Sequence, residues 1–349
     1  MPKRSIAYGV LTGLSVLLFS FAKTSAQVSE VSSLNLTTSP LPISLVAKPG
    51  DVITRELRIR NDGDKTEQLK VGLMKFRANG EDGKPELHER EKGDDYFEWV
   101  SFSDQKITAE PRVWKTVKMS IAIPKTAAFG YYYAVTFTRT TATSTPTVQN
   151  AKIVGGSASL VLLDVQAPGA KKNLQLQDFS VTKRSYEFLP ATLHLKVHNS
   201  GNVHVVPSGS IYIEQGKRRV DTIHLNETQG NVLPDSSRRF ESVWDKGFPR
   251  YEAKTQNGAV VLVNGVPENQ LIWKTSDIKN LRFGRYTAHL LLVYDNGEHD
   301  ATLEATVSFW VIPWRILGLF VGLPLLLIAV IVYLLLSRRR YKQKATYRH

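Results

Sequence analysis

No cysteine occurs anywhere in this chain of 349 residues. Disulfide staples and thiol nucleophiles are therefore excluded, and each folded part must be held by its own apolar core. In an exported chain the same absence points to a bacterial envelope rather than to a disulfide-forming eukaryotic route. Acidic residues are missing from both ends: residues 1–26 and 316–349 hold no Asp or Glu, yet three and six of the 45 Lys and Arg lie there. The interior keeps 36 basic against 32 acidic residues, so the net charge of +13 belongs mostly to the ends and marks no nucleic-acid footprint. Before the final apolar run, no window of a dozen residues spaces its apolar positions with a helical period.

The ends read as topology. Lys3 and Arg4 precede an uncharged run to Ala22, and Thr24-Ser25-Ala26 offers small residues at a cleavage site, the pattern of a secretory signal peptide over residues 1–26. Residues 27–35 are then a linker. Ile316 to Leu336 is a 21-residue stretch without charge, long enough as a helix to cross a hydrocarbon core of about 30 Å. Arg338, Arg339 and Arg340 open a basic tail, 337–349, that the positive-inside rule places in the cytoplasm. Trp310 and Trp314 fall where an outer interfacial belt belongs, and Pro324 can bend the span. The expectation is a single-pass plasma-membrane protein with its N-terminal domains outside the cytoplasm.

The interior writes one phrase twice. LRIRNDGD, Leu57 to Asp64, returns as LKVHNSGN, Leu195 to Asn202. Each copy alternates apolar and basic residues, then closes on Asn and Gly, which is a half-buried strand running into a turn. A second echo, Phe-Gly-x-Tyr-x-Ala, begins at Phe129 and at Phe283. Matching the echoes pairs Asn61 and Gly63 with Asn199 and Gly201, and Gly130 and Tyr132 with Gly284 and Tyr286. Short strands and turn signals recur around both copies. The fold class expected is all-β: two tandem immunoglobulin-like β-sandwich domains, 36–167 and 168–312, plus one C-terminal transmembrane helix. The second carries an insertion from Asp245 to Leu281 with a hairpin turning at Asn264-Gly265.

Chemistry is sparse. On one strand His194 and His198 would lie about 13 Å apart, too far to share a metal ion. The acidic segment from Glu81 to Asp95 lacks the register of a calcium loop and reads as a solvated insertion. Gly-x-Ser-x-Gly, His-Glu-x-x-His and phosphate-cradling loops are all missing. No enzyme activity, cofactor, metal or small-molecule substrate is expected, and the acceptor patterns at Asn35 and Asn226 read as coincidence. One surface stands out. If Tyr132 and Ala134 face inward like Tyr286 and Ala288, then Tyr131, Tyr133, Val135 and Phe137 form an exposed aromatic stripe, with Tyr131, Tyr133 and Phe137 as ligand contacts. A slip of one residue buries them instead, and of the two registers the buried one is favoured.

Lys48-Pro49-Gly50, Leu57 to Gly63 and Pro124 to Tyr133, followed by the span from Ile316, resemble the WxL-interacting surface proteins of Gram-positive bacteria. These motifs are shared in part with pilus-chaperone-like and adhesion-type sandwiches. The resemblance implies two immunoglobulin-like domains, the first associated with peptidoglycan and the second with a partner surface protein. The function expected is a membrane-anchored envelope protein that binds cell-wall polymer or a surface protein. The alternatives are an accessory subunit of an envelope membrane complex and, ranked below it, a cell-wall hydrolase.

Overall fold

Every second side chain of Ala191–Asn199 is buried, and Ile43–Ala47 shows the same alternation. Strands of this kind pair into sheets that must hide one face. In the computed structural model, which describes residues 34–140, 148–149, 152–153 and 156–346, they form two pairs of packed sheets. The signal peptide and most of the linker expected from the sequence lie outside the described residues.

In the first sandwich one sheet runs Leu36–Ser39, Val52–Asn61, Trp114–Ala122, Val100–Phe102. The facing sheet runs Ile43–Ala47, Gly156–Val165, Phe129–Arg139, Glu67–Asn79, Lys84–His88, with Lys106–Ala109 also paired to Glu67–Asn79. In the second, Leu174–Val181, Ala191–Asn199 and Ser236–Trp244 face Ser185–Tyr186, Asp300–Val311, Gly284–Asp295, Ser208–Gln215 and Arg218–Leu225. Both sandwiches use one device. The chain enters in the smaller sheet, crosses over, and lies parallel to the last strand: Ile43–Ala47 beside Gly156–Val165, and Ser185–Tyr186 beside Asp300–Val311. Each sandwich closes on its own core, around Leu57, Ile59, Met119 and Phe137 in the first and Leu195, Trp244, Tyr286 and Phe309 in the second.

A third apolar cluster lies on the outer face of the larger first sheet. Met74, Phe76, Leu87, Ala134 and Leu162 form it, and Leu233 of the second sandwich packs against them. This outer cover explains why Ala134 to Phe137 are buried without alternation. Lys84–His88 and Arg218–Leu225 are outermost strands, rich in charge, where apolar alternation is weak.

The C-terminal helix is long and apolar enough to cross a membrane: Trp314–Ser337, 24 residues, with mean hydropathy 3.0. It opens as Trp314–Leu317, widens to a π-turn at Gly318–Gly322, and continues as Leu323–Thr346. The π-turn lies just ahead of Pro324, which has no N–H to give the preceding turn. Arg338, Arg339 and Arg340 fall on the helix backbone, and their side chains lie outside the described residues.

Candidate functional site

The second copy of the repeated phrase closes the joint between the sandwiches. Asn199 Nδ2 donates to the carbonyls of Val203 at 2.8 Å and Val232 at 2.9 Å, and its Oδ1 accepts the Gly201 N–H at 2.9 Å. The turn so fixed presents Asn202 and His204. Asn202 Oδ1 accepts the Lys171 N–H at 2.7 Å and its Nδ2 donates to the Gly169 carbonyl at 3.0 Å, which ties down the connection between the sandwiches. Gly201 makes this approach possible, since a Cβ there would stand 2.1 Å from the Lys171 carbonyl oxygen. The His204 N–H donates to Tyr132 Oη of the first sandwich at 2.7 Å, and the two rings meet edge to face at 5.7 Å. Tyr132 lies back over Gly130, where a Cβ would come within 2.1 Å of its hydroxyl. Desolvation raises the Tyr132 phenol above its ordinary range and, with Lys172 nearby, pulls His204 down to about 4.

A second tie comes from Glu81 at the start of the acidic segment, while Asp82, Glu86, Glu89, Glu91 and Asp95 stand exposed, as a solvated insertion requires. Glu67–Asn79 and Lys84–His88 form a hairpin whose turn carries Glu81 onto the second sandwich. The Glu81 carbonyl accepts the Arg239 N–H at 2.7 Å, and its carboxylate meets Lys196 at 2.5 Å and Arg239 at 2.7 Å. Bonds from Lys196 and Arg239 hold the Glu81 carboxyl below the usual carboxylate range.

Between the sandwiches lies a cleft of about 390 Å³. Phe76, Leu87, Leu160 and Leu162 line it from the first sandwich; Asn231, Leu233 and Arg238 line it from the second. Arg238 occupies the inward face of its strand in line with Phe240 and Trp244, with its guanidinium 5.2 Å over the Phe240 ring. It donates to the Asn231 carbonyl at 2.7 Å, while its Nε is buried without a partner, as is Asn231 Oδ1. No carboxylate pairs with Arg238 among the described residues, whereas Arg77 across the cleft is paired with Glu91 at 2.7 Å. Desolvation alone lowers the Arg238 pKa. The cleft therefore joins apolar walls to a cation that lacks its anion.

The exposed aromatic stripe, the less favoured of the two registers, does not form, and Tyr131, Tyr133 and Phe137 are not the ligand contacts it would have made them. Tyr133 is 1% exposed and Phe137 0%, both in the first core, so neither can touch a ligand. Tyr131 is part-buried against Trp99 at 4.8 Å, and its hydroxyl accepts the Ala128 N–H at 3.1 Å. Tyr286 does the same with Phe283 at 3.2 Å, so the structural counterpart of Tyr286 is Tyr131 and not Tyr132. Likewise the left-handed residue at the start of each strand is Phe129 in one copy and Gly284 in the other, not Gly130. Asn61, Gly63, Asn199 and Gly201 do correspond. Arg238 was missed, although alternation with Phe240 and Trp244 already points it inward. Asn226 braces a loop through its side chain, Nδ2 donating to the carbonyls of Pro207 at 2.6 Å and Gly230 at 2.9 Å. His194 and His198 bond to Thr182 and Ser237 separately. Among the described residues no three His, Cys, Asp or Glu gather to hold a metal ion.

No family model matches the chain, and no curated protein is similar to it. Similar solved structures include the class 5 fimbriae chaperone CfaA, at 15% identity over 78% of this chain and 98% of that chain, with a TM-score of 0.36. The E. coli chaperone DraB matches at 10% identity over 78% and 98%, TM-score 0.33. The Pseudomonas aeruginosa CupB2 chaperone matches at 10% over 79% and 100%, TM-score 0.30. Likeness at these scores is loose, and the architecture rests on the strand pairing described above.

Proposed function

We propose that this chain is a membrane-anchored envelope protein that holds a protein partner in the cleft between its two sandwiches, outside the cytoplasm. The observation that carries this reading is Arg238. A part-buried guanidinium with an unpartnered Nε is costly unless an anion completes it, and the surrounding apolar walls suit the side chains of an inserted segment. A loop or strand bearing a carboxylate beside apolar residues supplies both. The two ties on either sandwich support a preformed site, which lowers the entropy lost on binding. The apolar helix that follows the last strand within three residues would keep this cleft near the membrane surface.

Full-length protein with a photo-crosslinking residue at Leu160 tests the reading in intact cells. A discrete adduct that is lost on Arg238→Glu, with the same residue at exposed Glu89 giving none, is the expected result. Equal adducts at both positions would remove the cleft from consideration. Retention on purified cell-wall sacculi that survives Arg238→Glu would favour the polymer reading over a protein partner.

A further inference from the structure

The insertion between Trp244 and Gly284 belongs to neither sheet of the second sandwich. Its stalk pairs Arg250–Ala253 with Asn269–Ile272. Above the stalk two small hairpins branch off, Thr255–Gln256 with Ala259–Val260 and Leu262–Val263 with Val266–Pro267. Each turns at Asn-Gly with both residues left-handed, Asn257 and Gly258 in one and Asn264 and Gly265 in the other. The expected turn at Asn264-Gly265 is thus one of two. Between Thr255 and Pro267 the sequence has no charged residue.

What these hairpins display is apolar. Leu262, Val263 and Val266 are 59%, 53% and 65% exposed. A small soluble hairpin normally turns such residues into a core; here they have none. The distribution is uneven as well. Among the described residues ahead of Leu317, ten of the sixteen large hydrophobic residues that stand exposed lie between Val260 and Trp314. Exposure spread evenly over a surface needs no explanation, but concentration in one region does.

Strand pairing says where that region is. Gly284 pairs with Val311 and Arg285 with Trp310, so the insertion returns to the sandwich at the end from which the apolar helix leaves. The stalk is rooted at the same end: the Tyr251 N–H donates to the Leu189 carbonyl at 2.8 Å, close to where Ser185 pairs with Trp310. Trp273, Phe283, Trp310 and Trp314 are all exposed there. Aromatic rings of this kind collect at the boundary between water and lipid. Lys274 and Lys279 flank them without an ion pair among the described residues, placed to meet anionic headgroups.

We infer that the insertion is a second membrane contact: its two uncharged hairpins dip into the interface of the bilayer that the C-terminal helix crosses, and so fix the second sandwich at the surface instead of leaving it to swing on its tether. The occupant of the apolar patch is lipid, chosen over a protein because the stalk that carries the patch is rooted at the end of the sandwich from which the span leaves. The inference rests on the reading of that helix as a membrane anchor.

The absence of cysteine makes the test direct. Single variants Val263→Cys, Glu89→Cys and Leu327→Cys of the full chain are labelled with an environment-sensitive fluorophore and reconstituted into vesicles containing anionic lipid and, in a parallel set, nitroxide-labelled lipid. Val263 is expected to give blue-shifted emission quenched several-fold more by the nitroxide than Glu89, with Leu327 quenched as well. Quenching at Leu327 with Val263 as solvent-exposed as Glu89 overturns the hairpin contact and leaves the anchor standing. A Leu327 probe in water overturns the anchor itself. Blue-shifted Val263 emission without nitroxide quenching means that a second copy of the chain covers the patch, and this too overturns the lipid assignment.

Discussion

Asn61 and Asn199, 138 positions apart, do the same work in the two sandwiches. Each is buried, at 1% and 0% exposure. Asn61 Nδ2 donates to the carbonyls of Lys65 at 2.7 Å and Ala109 at 3.0 Å and its Oδ1 accepts the Gly63 N–H at 3.0 Å, which matches Asn199 with Val203, Val232 and Gly201 bond for bond. Even the backbone agrees: the Asn61 carbonyl accepts the Arg112 N–H and that of Asn199 the Asp235 N–H, and both donors have positive φ. Replacing either Asn by Ala leaves two carbonyls and one N–H unmatched in the interior, so each variant should lose about 2–4 kcal/mol in denaturant unfolding. A loss below about 1 kcal/mol at either site would show that water repairs the gap and that the shared bonds are not what holds the turn.

The duplication was legible because this Asn is a chemical necessity: only a short amide can bridge a turn to two carbonyls and still accept from the turn itself. The aromatic echo misled for a different reason. By geometry Tyr131 and Tyr286 are 155 positions apart, one more than the spacing of Phe129 and Phe283, so aligning on Phe-Gly inverts every side chain of the strand. Alternation could not correct the slip, because the second sandwich covers the outer face of Phe129–Arg139 and both faces of the strand are apolar. The cleft was illegible altogether, since it unites Leu160 with Arg238 across two sandwiches and no local pattern encodes such a meeting.

Tyr133 tests the corrected register. Its ring is 1% exposed in the core, and its hydroxyl is buried without a hydrogen-bond partner. Tyr133→Phe removes only that stranded group and should leave stability unchanged or raise it by about 1 kcal/mol. Tyr133→Ala empties the site and should cost about 3–5 kcal/mol. Were Tyr133 a surface contact residue, both changes would be nearly silent in thermal melts, and that pair of results would return it to the surface.

Glu81 predicts a change in joint geometry more than in stability. Its carboxylate is part-exposed between Lys196 and Arg239, a setting in which solvent screens ion pairs and they contribute little to stability. Glu81→Ala should therefore barely shift the midpoint of unfolding. Spin labels introduced at Glu89→Cys and Thr222→Cys should nevertheless report a broader distance distribution between the sandwiches, since the hairpin tip is one of the two ties. An unchanged distribution would assign the joint to Tyr132, His204 and Asn202 alone.

His204 gives the joint a dependence on pH with a definite sign. Burial against the first sandwich holds its pKa at about 4, while in the unfolded chain it returns to about 6.5. Between these values the unfolded chain binds the proton and the folded one does not, so stability falls as pH drops from about 6.5 to about 4 and is flat above. A shift of this size is worth at most about 3 kcal/mol, less where water reaches the ring. Glu81 adds a loss in the same direction only below its unfolded pKa, as its depressed carboxyl takes up a proton. The two are separable by window: His204→Gln, which cannot titrate, should abolish the decline between about pH 6.5 and about pH 5 in thermal melts and leave the steeper acid loss in place. If His204→Gln melts with the wild-type slope across that window, the imidazole is already hydrated in the folded protein, and the Tyr132 contact must then be held by the His204 backbone N–H alone.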